Sequence, residues 1–236
     1  MGTINLKKKP APVYALLIAP HPDDIDFGIA GTVARWTQEG KQVVYVICTS
    51  GDKGTNDPNM KPETLVKIRE KEQRAAAKVV GVKEVVFLHY PDQGIEDTAE
   101  FRKEIVRLIR LYRPEIVAST DPYRHYIWHR DHRITGQVVM DAVYPYARDR
   151  LAYPDLYEQG YLPHKVKEVL CWGSPDPNYT CDISDVFELK IAALGCHKSQ
   201  FNIKEMEKRM RERYAAIAEN TGFKYAEAFH REVLGR

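Results

Sequence analysis

The chain has 236 residues, 44% of them apolar and 29% charged, a length and balance that allow one sizeable core and fall short of a clear two-domain prior. Its 35 basic and 33 acidic residues nearly cancel, leaving +2 with no basic block, which argues against a nucleic-acid backbone as partner. No stretch reaches the ~20 apolar residues needed to span a bilayer, and the apolar run behind Lys7-Lys8-Lys9 is short, ends in charge and lacks a small-residue cleavage site, so neither a membrane span nor a secretory leader is expected. Cys48, Cys171, Cys181 and Cys196 show no CxxC spacing and no close pairing, which favours a reducing, cytoplasmic setting. A single domain over residues 1–236 is expected, with 1–11 as a solvated arm.

Val13 to Ala19 reads as a buried strand bounded by prolines, and it runs directly into Pro20-His21-Pro22-Asp23-Asp24. Helical spacing follows from Phe27 to Gln38, with Gly40 as a stop. Lys41 to Cys48 is β-branched and apolar, as a strand buried on both faces should be, and ends in the loop Thr49-Ser50-Gly51-Asp52-Lys53-Gly54. A helix over 63–80, a strand over 84–90 with the loop Pro91-Asp92-Gln93-Gly94, a helix over 98–112 and a strand over 115–120 continue the alternation. A long loop then ends in His129-Arg130-Asp131-His132 before a helix over 133–146. Farther on, the pattern predicts a strand over 166–172 and helices over 182–193 and 203–219.

Four strand–loop–helix units imply parallel strands with right-handed crossovers, hence a Rossmann-like, doubly wound α/β fold with helices on both faces. That topology brings the PHPDD and HRDH loops to the carboxyl edge of one sheet, where ligands bind in open α/β folds. Two imidazoles and a carboxylate drawn from His21, Asp24, His129, Asp131 and His132 would match a catalytic zinc site with one open position. The spare residues fit the remaining roles. Asp23 would take a proton from water, His129 would stabilise an oxyanion or act as general acid, and Asp131 would orient and charge His129. The same donor set also makes the facial triad of a non-haem Fe(II) oxygenase, but such sites usually sit on β-rich barrels. A sugar-binding protein on a dead enzyme scaffold is a third reading, against which stands the retention of Asp23. The loop carrying Tyr123, Tyr126 and Trp128 is either a sugar-stacking wall or packing between helices.

PHPDD paired with HRDH resembles the signature of the PIG-L/LmbE-like zinc-dependent deacetylases. The resemblance implies a Rossmann-like fold, zinc bound by His21, Asp24 and His132, Asp23 as base, His129 as the transition-state histidine and Asp131 as its partner. It further implies Arg69, in an R-x-x-E context with Glu72, and Asp92 as substrate-binding residues. The loops around Asp52, Asp92 and Tyr126 are expected to set substrate choice. CTSGDKGTND, FLHYPDQ, DPYRHYIWHRDHR and CHKSQF are most similar to the diacetylchitobiose deacetylases, implying a small acetylated amino-sugar substrate, with an N-acetylglucosaminyl conjugate of thiol biosynthesis as alternative, and a homo-oligomer.

Overall fold

The computed structural model describes residues 10–234; Lys7-Lys8-Lys9 and most of the expected arm lie outside that range. The interior strand β1, Ala15–Ala19, pairs in parallel with β2 (Val43–Thr49) on one side and β4 (Ile116–Thr120) on the other. β3 (Glu84–Tyr90) lies outside β2, and β5 (Glu168–Trp172) pairs in parallel with β4. Two antiparallel strands, β7 (Ala226–Val233) and β6 (Tyr179–Asp182), complete a seven-stranded sheet in the order β3-β2-β1-β4-β5-β7-β6. The Rossmann-like, mostly parallel sheet expected from the sequence is therefore present in one continuous fold.

Strand periodicity explains why the central strands are apolar throughout. Successive side chains point to opposite faces, and both faces are covered. Ala15, Leu17 and Ala19 with Val43, Tyr45 and Ile47 pack toward α1 (Asp24–Gln38), α2 (Pro62–Val79), α6 (Phe187–Leu194) and α7 (Ile203–Ile217). Leu16, Ile18, Val44, Val46 and Cys48 pack on the other side, against Phe101, Ile105 and Ile109 of α3 (Ala99–Tyr112) and Val138 and Val139 of α4 (Arg130–Asp141). A short helix, α5 (Pro154–Glu158), follows α4. Among the described residues no helix is long and apolar enough to cross a membrane.

β1 is the strand at which the winding reverses. The chain leaves it toward β2 and later returns on its other side as β4, so the loops after β1 and β4 diverge and leave a crevice between them. The PHPDD loop follows β1, and the loop ending in HRDH follows β4.

Three expectations need correction. Residue 182 closes β6 instead of opening a helix, because the Asp182 Oδ1 accepts hydrogen bonds from the backbone N–H and hydroxyl of Ser184 and turns the chain before α6 begins at Phe187. β7 was not anticipated; its outer half carries Arg231 and Glu232, and only Ala226, Glu227 and Phe229 of the strand are buried. α4 starts earlier than residue 133, since the His129 ring accepts a hydrogen bond from the Asp131 N–H and caps it.

Gly136 lets α4 lie against the end of β4: a Cβ there would stand 2.5 Å from the Thr120 carbonyl oxygen. Gly136→Ala is expected to cost about 1–3 kcal/mol through overpacking. In a thermal melt this should lower Tm by roughly 2–10 °C; an unchanged Tm would show that the helix seats itself by other means.

Candidate active site

Asp24 is the first residue of α1, and Asp23 before it has a left-handed backbone, φ 91 and ψ −30. A non-glycine residue there stores roughly 1–3 kcal/mol of strain. The Asp23 N–H is held by the Gln73 Oε1 at 2.8 Å, and its carboxylate lies 3.3 Å from the Arg69 guanidinium. The turn points the two adjacent carboxylates in different directions. Asp24 faces two imidazoles: its Oδ2 is 3.2 Å from His21 Nδ1 and its Oδ1 is 3.2 Å from His132 Nε2. The Oδ2 also accepts from the His21 backbone N–H at 2.9 Å. One carboxylate thus joins the loop after β1 to the first turn of α4.

The far nitrogen of His21, Nε2, is 3.1 Å from Asp131 Oδ2 and 3.1 Å from Asp92 Oδ1. Asp131 is fully buried, and its oxygens also accept from the backbone N–H groups of Gln93 and Ile95. The sequence reading placed this carboxylate on His129; the structure places it on His21. The cause lies in the loop after β3: its two N–H groups draw the Asp131 side chain inward, while His129, as the cap of α4, receives the Asp131 backbone N–H on its Nδ1 at 3.2 Å. With Nδ1 accepting, a neutral His129 carries its proton on Nε2. The His129 and His21 rings meet edge to face, centroids 4.7 Å apart.

These surroundings suit a cation. Ring nitrogens of His21, His129 and His132 lie within 4.8 Å of one another, and the Asp24 carboxylate touches two of those rings. Asp24 on the Nδ1 side of His21, with His132 on its other oxygen, and outer carboxylates on Nε2 make the arrangement by which proteins orient a metal-binding histidine. Burial opposes charge on His21, yet Asp131, Asp24 and Asp92 overcome it and push its pKa up to about 11. Burial likewise works against charge on Asp24, but His132 and His21 hold it well below the usual carboxylate range.

The two neighbouring acids are split by the same environment. Burial, reinforced by the charge of Asp24, raises Asp23 to about 7, against the opposing pull of Arg69, His197 and His21. Burial and then His21 and His132 lower His129 below the ordinary histidine value.

A hollow of about 180 Å³ opens over the cluster, lined by His21, Asp23, Lys53, Arg69, Asp92 and His129 among others. A second, of about 210 Å³, adjoins Asp24 and His132 and is walled by Phe27, Trp128, Trp172 and Tyr214. Of the residues expected to touch substrate, Asp92 and Arg69 line the first hollow. Arg69 is 4% exposed and mainly a clamp, donating to the Pro22 and Gly51 carbonyls. Gly51 and Gly54 make room for it, since a Cβ at either would lie within 2.6 Å of its Nη1. Glu72 does not pair with it; that carboxylate takes the Ser199 N–H and hydroxyl. Asp52 accepts from the Asp92 N–H and shapes the loop without lining the hollow. Tyr126 is 97% exposed and lines neither hollow. Its neighbour Trp128 is the aromatic that reaches the cluster, its ring edge-on to His132 at 4.5 Å and its Nε1 donating to the Asp121 carbonyl. Lys53 was missed, although GDKG at a strand's carboxyl end marked its loop.

Residues 16–143 match the family described as GlcNAc-PI de-N-acetylase, PIG-L. The chain belongs to the PIG-L family. Among curated relatives, this PIG-L chain is 39% identical over 186 residues to the diacetylchitobiose deacetylase of Thermococcus kodakarensis, a stretch covering 79% of this chain and 69% of that protein. It is 30% identical to the probable N-acetyl-alpha-D-glucosaminyl L-malate deacetylase 2 of Bacillus anthracis, over 82% of this chain and 84% of that one. Among solved structures, the N,N'-diacetylchitobiose deacetylase of Pyrococcus horikoshii superposes with a TM-score of 0.88 at 32% identity, over 93% of this chain and 84% of the other. PIG-L deacetylases are metal-dependent, in keeping with the histidine and aspartate cluster of this chain.

Arg69→Met removes the donors of two loop carbonyls and the counter-charge of Asp23. Urea unfolding should show a loss of about 2–4 kcal/mol; an unchanged midpoint would mean that the loops after β1 and β2 need no clamp.

Proposed function

We propose that the protein is a zinc-dependent N-deacetylase that cleaves the acetamide of a small N-acetylglucosamine glycoside, with a chito-oligosaccharide such as diacetylchitobiose favoured, releasing acetate and an amino sugar. The observation that carries this reading is the division of labour between Asp23 and Asp24: adjacent in sequence, one carboxylate faces two histidines and the other lines the hollow with a pKa near neutrality. The likeness to diacetylchitobiose deacetylases supports the substrate class.

In this reading His21, Asp24 and His132 hold the metal. When bound there, zinc polarises a carbonyl and lowers the pKa of water. The remaining steps belong to the chain. Asp23 takes a proton from the attacking water, a task suited to a carboxyl group with a pKa of about 7. His129 donates a hydrogen bond from its Nε2–H to the developing oxyanion, and the proton that Asp23 took from water passes on to the leaving nitrogen. Asp131 and Asp92 hold the Nε2 proton of His21, so Nδ1, beside Asp24, is the nitrogen that would give up its proton and turn to the metal. Asp92 and Lys53 give the hollow the polar groups that sugar hydroxyls need, while Asp52 holds their loop and Arg69 braces its floor. Trp128 takes the place assigned to Tyr126 as the aromatic beside the site. A cytoplasmic location agrees with four free cysteines, and homo-oligomeric assembly is a further part of the proposal, to be read by light scattering.

Asp23→Asn is expected to lower turnover by about 10²–10⁴-fold with metal content retained. Full activity in that variant would remove Asp23 from the mechanism. The base must be unprotonated to act, so kcat/KM of the wild type should fall as pH drops through about 7. A pH profile flat down to 5 would contradict the assignment. Free-amine release from N-acetylglucosamine, diacetylchitobiose and N-acetylglucosaminyl malate ranks the substrates. The proposal expects diacetylchitobiose first, and preference for the malate conjugate would move the protein to thiol biosynthesis.

A further inference from the structure

Behind the catalytic hollow runs a chain of polar side chains that the mechanism above does not use. Gln73, Asp26 and His197 are each fully buried. The Gln73 Oε1 accepts the Asp23 N–H at 2.8 Å, and its Nε2 donates to Asp26 Oδ2 at 2.8 Å. The same oxygen meets His197 Nε2 at 2.8 Å. The three residues come from α2, α1 and the turn after α6, so the contacts tie distant parts of the chain to one peptide unit.

We propose that Gln73, Asp26 and His197 form a buried hydrogen-bonded relay that holds Asp23 in its strained conformation, and that they are positioning residues for the base. The proposal rests on the reading of Asp23 as that base.

Asp23 has a left-handed backbone without the freedom of glycine, and its side chain makes no capping hydrogen bond to α1. Two residues of α2 one turn apart hold it instead. Arg69 takes the Pro22 carbonyl and the carboxylate, and Gln73 takes the N–H. A glutamine amide can present either its oxygen or its nitrogen. Asp26 resolves this, because a carboxylate accepts only, fixing the nitrogen toward itself and the oxygen toward Asp23. His197 in turn holds the same Asp26 oxygen.

The first turns of α1 are anchored further by Lys190, whose buried ammonium donates to the Asp26 and Phe27 carbonyls and pairs with buried Glu227. Glu227 also accepts the N–H groups of Gly31 and Thr32. The relay carries a cost of its own, since Asp26 Oδ1 and His197 Nδ1 are both buried without a protein hydrogen-bond partner.

The test is a double-mutant cycle on the metal-loaded enzyme with diacetylchitobiose, reading kcat, KM, metal content and Tm. Gln73→Met keeps volume but neither accepts nor donates; it should lower kcat by about thirty-fold or more, with KM within about two-fold and metal retained. His197→Phe should also lower kcat. His197→Gln, whose Nε2 keeps a donor near the same place, should stay within about three-fold of wild type. On the Asp23→Asn background, Gln73→Met should cause no further loss of kcat. Wild-type kcat per metal-loaded chain in Gln73→Met, whatever its Tm, would overturn the relay. So would an equal loss on both backgrounds, and in either case the base assignment would stand. Full turnover in Asp23→Asn alone would sink that assignment and the relay with it.

Discussion

The structure depends on the contact of the Asp24 carboxylate with His21 and His132. Those two histidines, one in the loop after β1 and one in the first turn of α4, are far apart in sequence, and the single carboxylate between them is the point at which the two halves of the site become one. Everything nearby follows from its geometry. With Asp24 turned toward the imidazoles, the left-handed turn at Asp23 sends the second carboxylate into the hollow. With His21 Nδ1 committed to Asp24, its Nε2 is left for Asp131 and Asp92.

The fold supplies this contact through its switch point. A strand covered on both faces must be apolar along its length, so polar groups gather at its ends. At the carboxyl ends of β1 and β4 the chain turns to opposite sides, and the two polar loops face each other across the gap. α1 begins within the first loop and α4 within the second, which fixes Asp24 and His132 on rigid helical turns. The family assignment agrees with this construction, since residues 16–143 contain both loops and the sheet between them.

Much of this was legible in the sequence, for a definite reason. Strand periodicity, glycine stops and two dense polar motifs are local signals, and they placed β1 to β5 and both loops on the correct edge. Side-chain direction is not local. Nothing in HRDH says that the Asp131 carboxylate points back to His21, because the N–H groups that draw it there belong to Gln93 and Ile95. Tyr126 and Trp128 are two residues apart, yet one is in solvent and the other beside His132. Gln73 reads as an ordinary residue of the helix over 63–80 and His197 as one letter of CHKSQF, since their meaning lies in Asp26 and Asp23 across the fold. β7 escaped notice because only three of its eight residues are buried, one of them the charged Glu227, so no apolar run marks it.

The central claim is that the two loops make one metal centre that hydrolyses an acetamide. Its most direct test is stepwise addition of zinc to chelator-stripped enzyme, following bound metal and acetate release from diacetylchitobiose together. Acetate release should rise from zero and saturate at one zinc per chain, with Asp24→Ala neither binding tightly nor turning over. Undiminished acetate release from the stripped enzyme, or saturation unaffected by the loss of Asp24, would contradict the account.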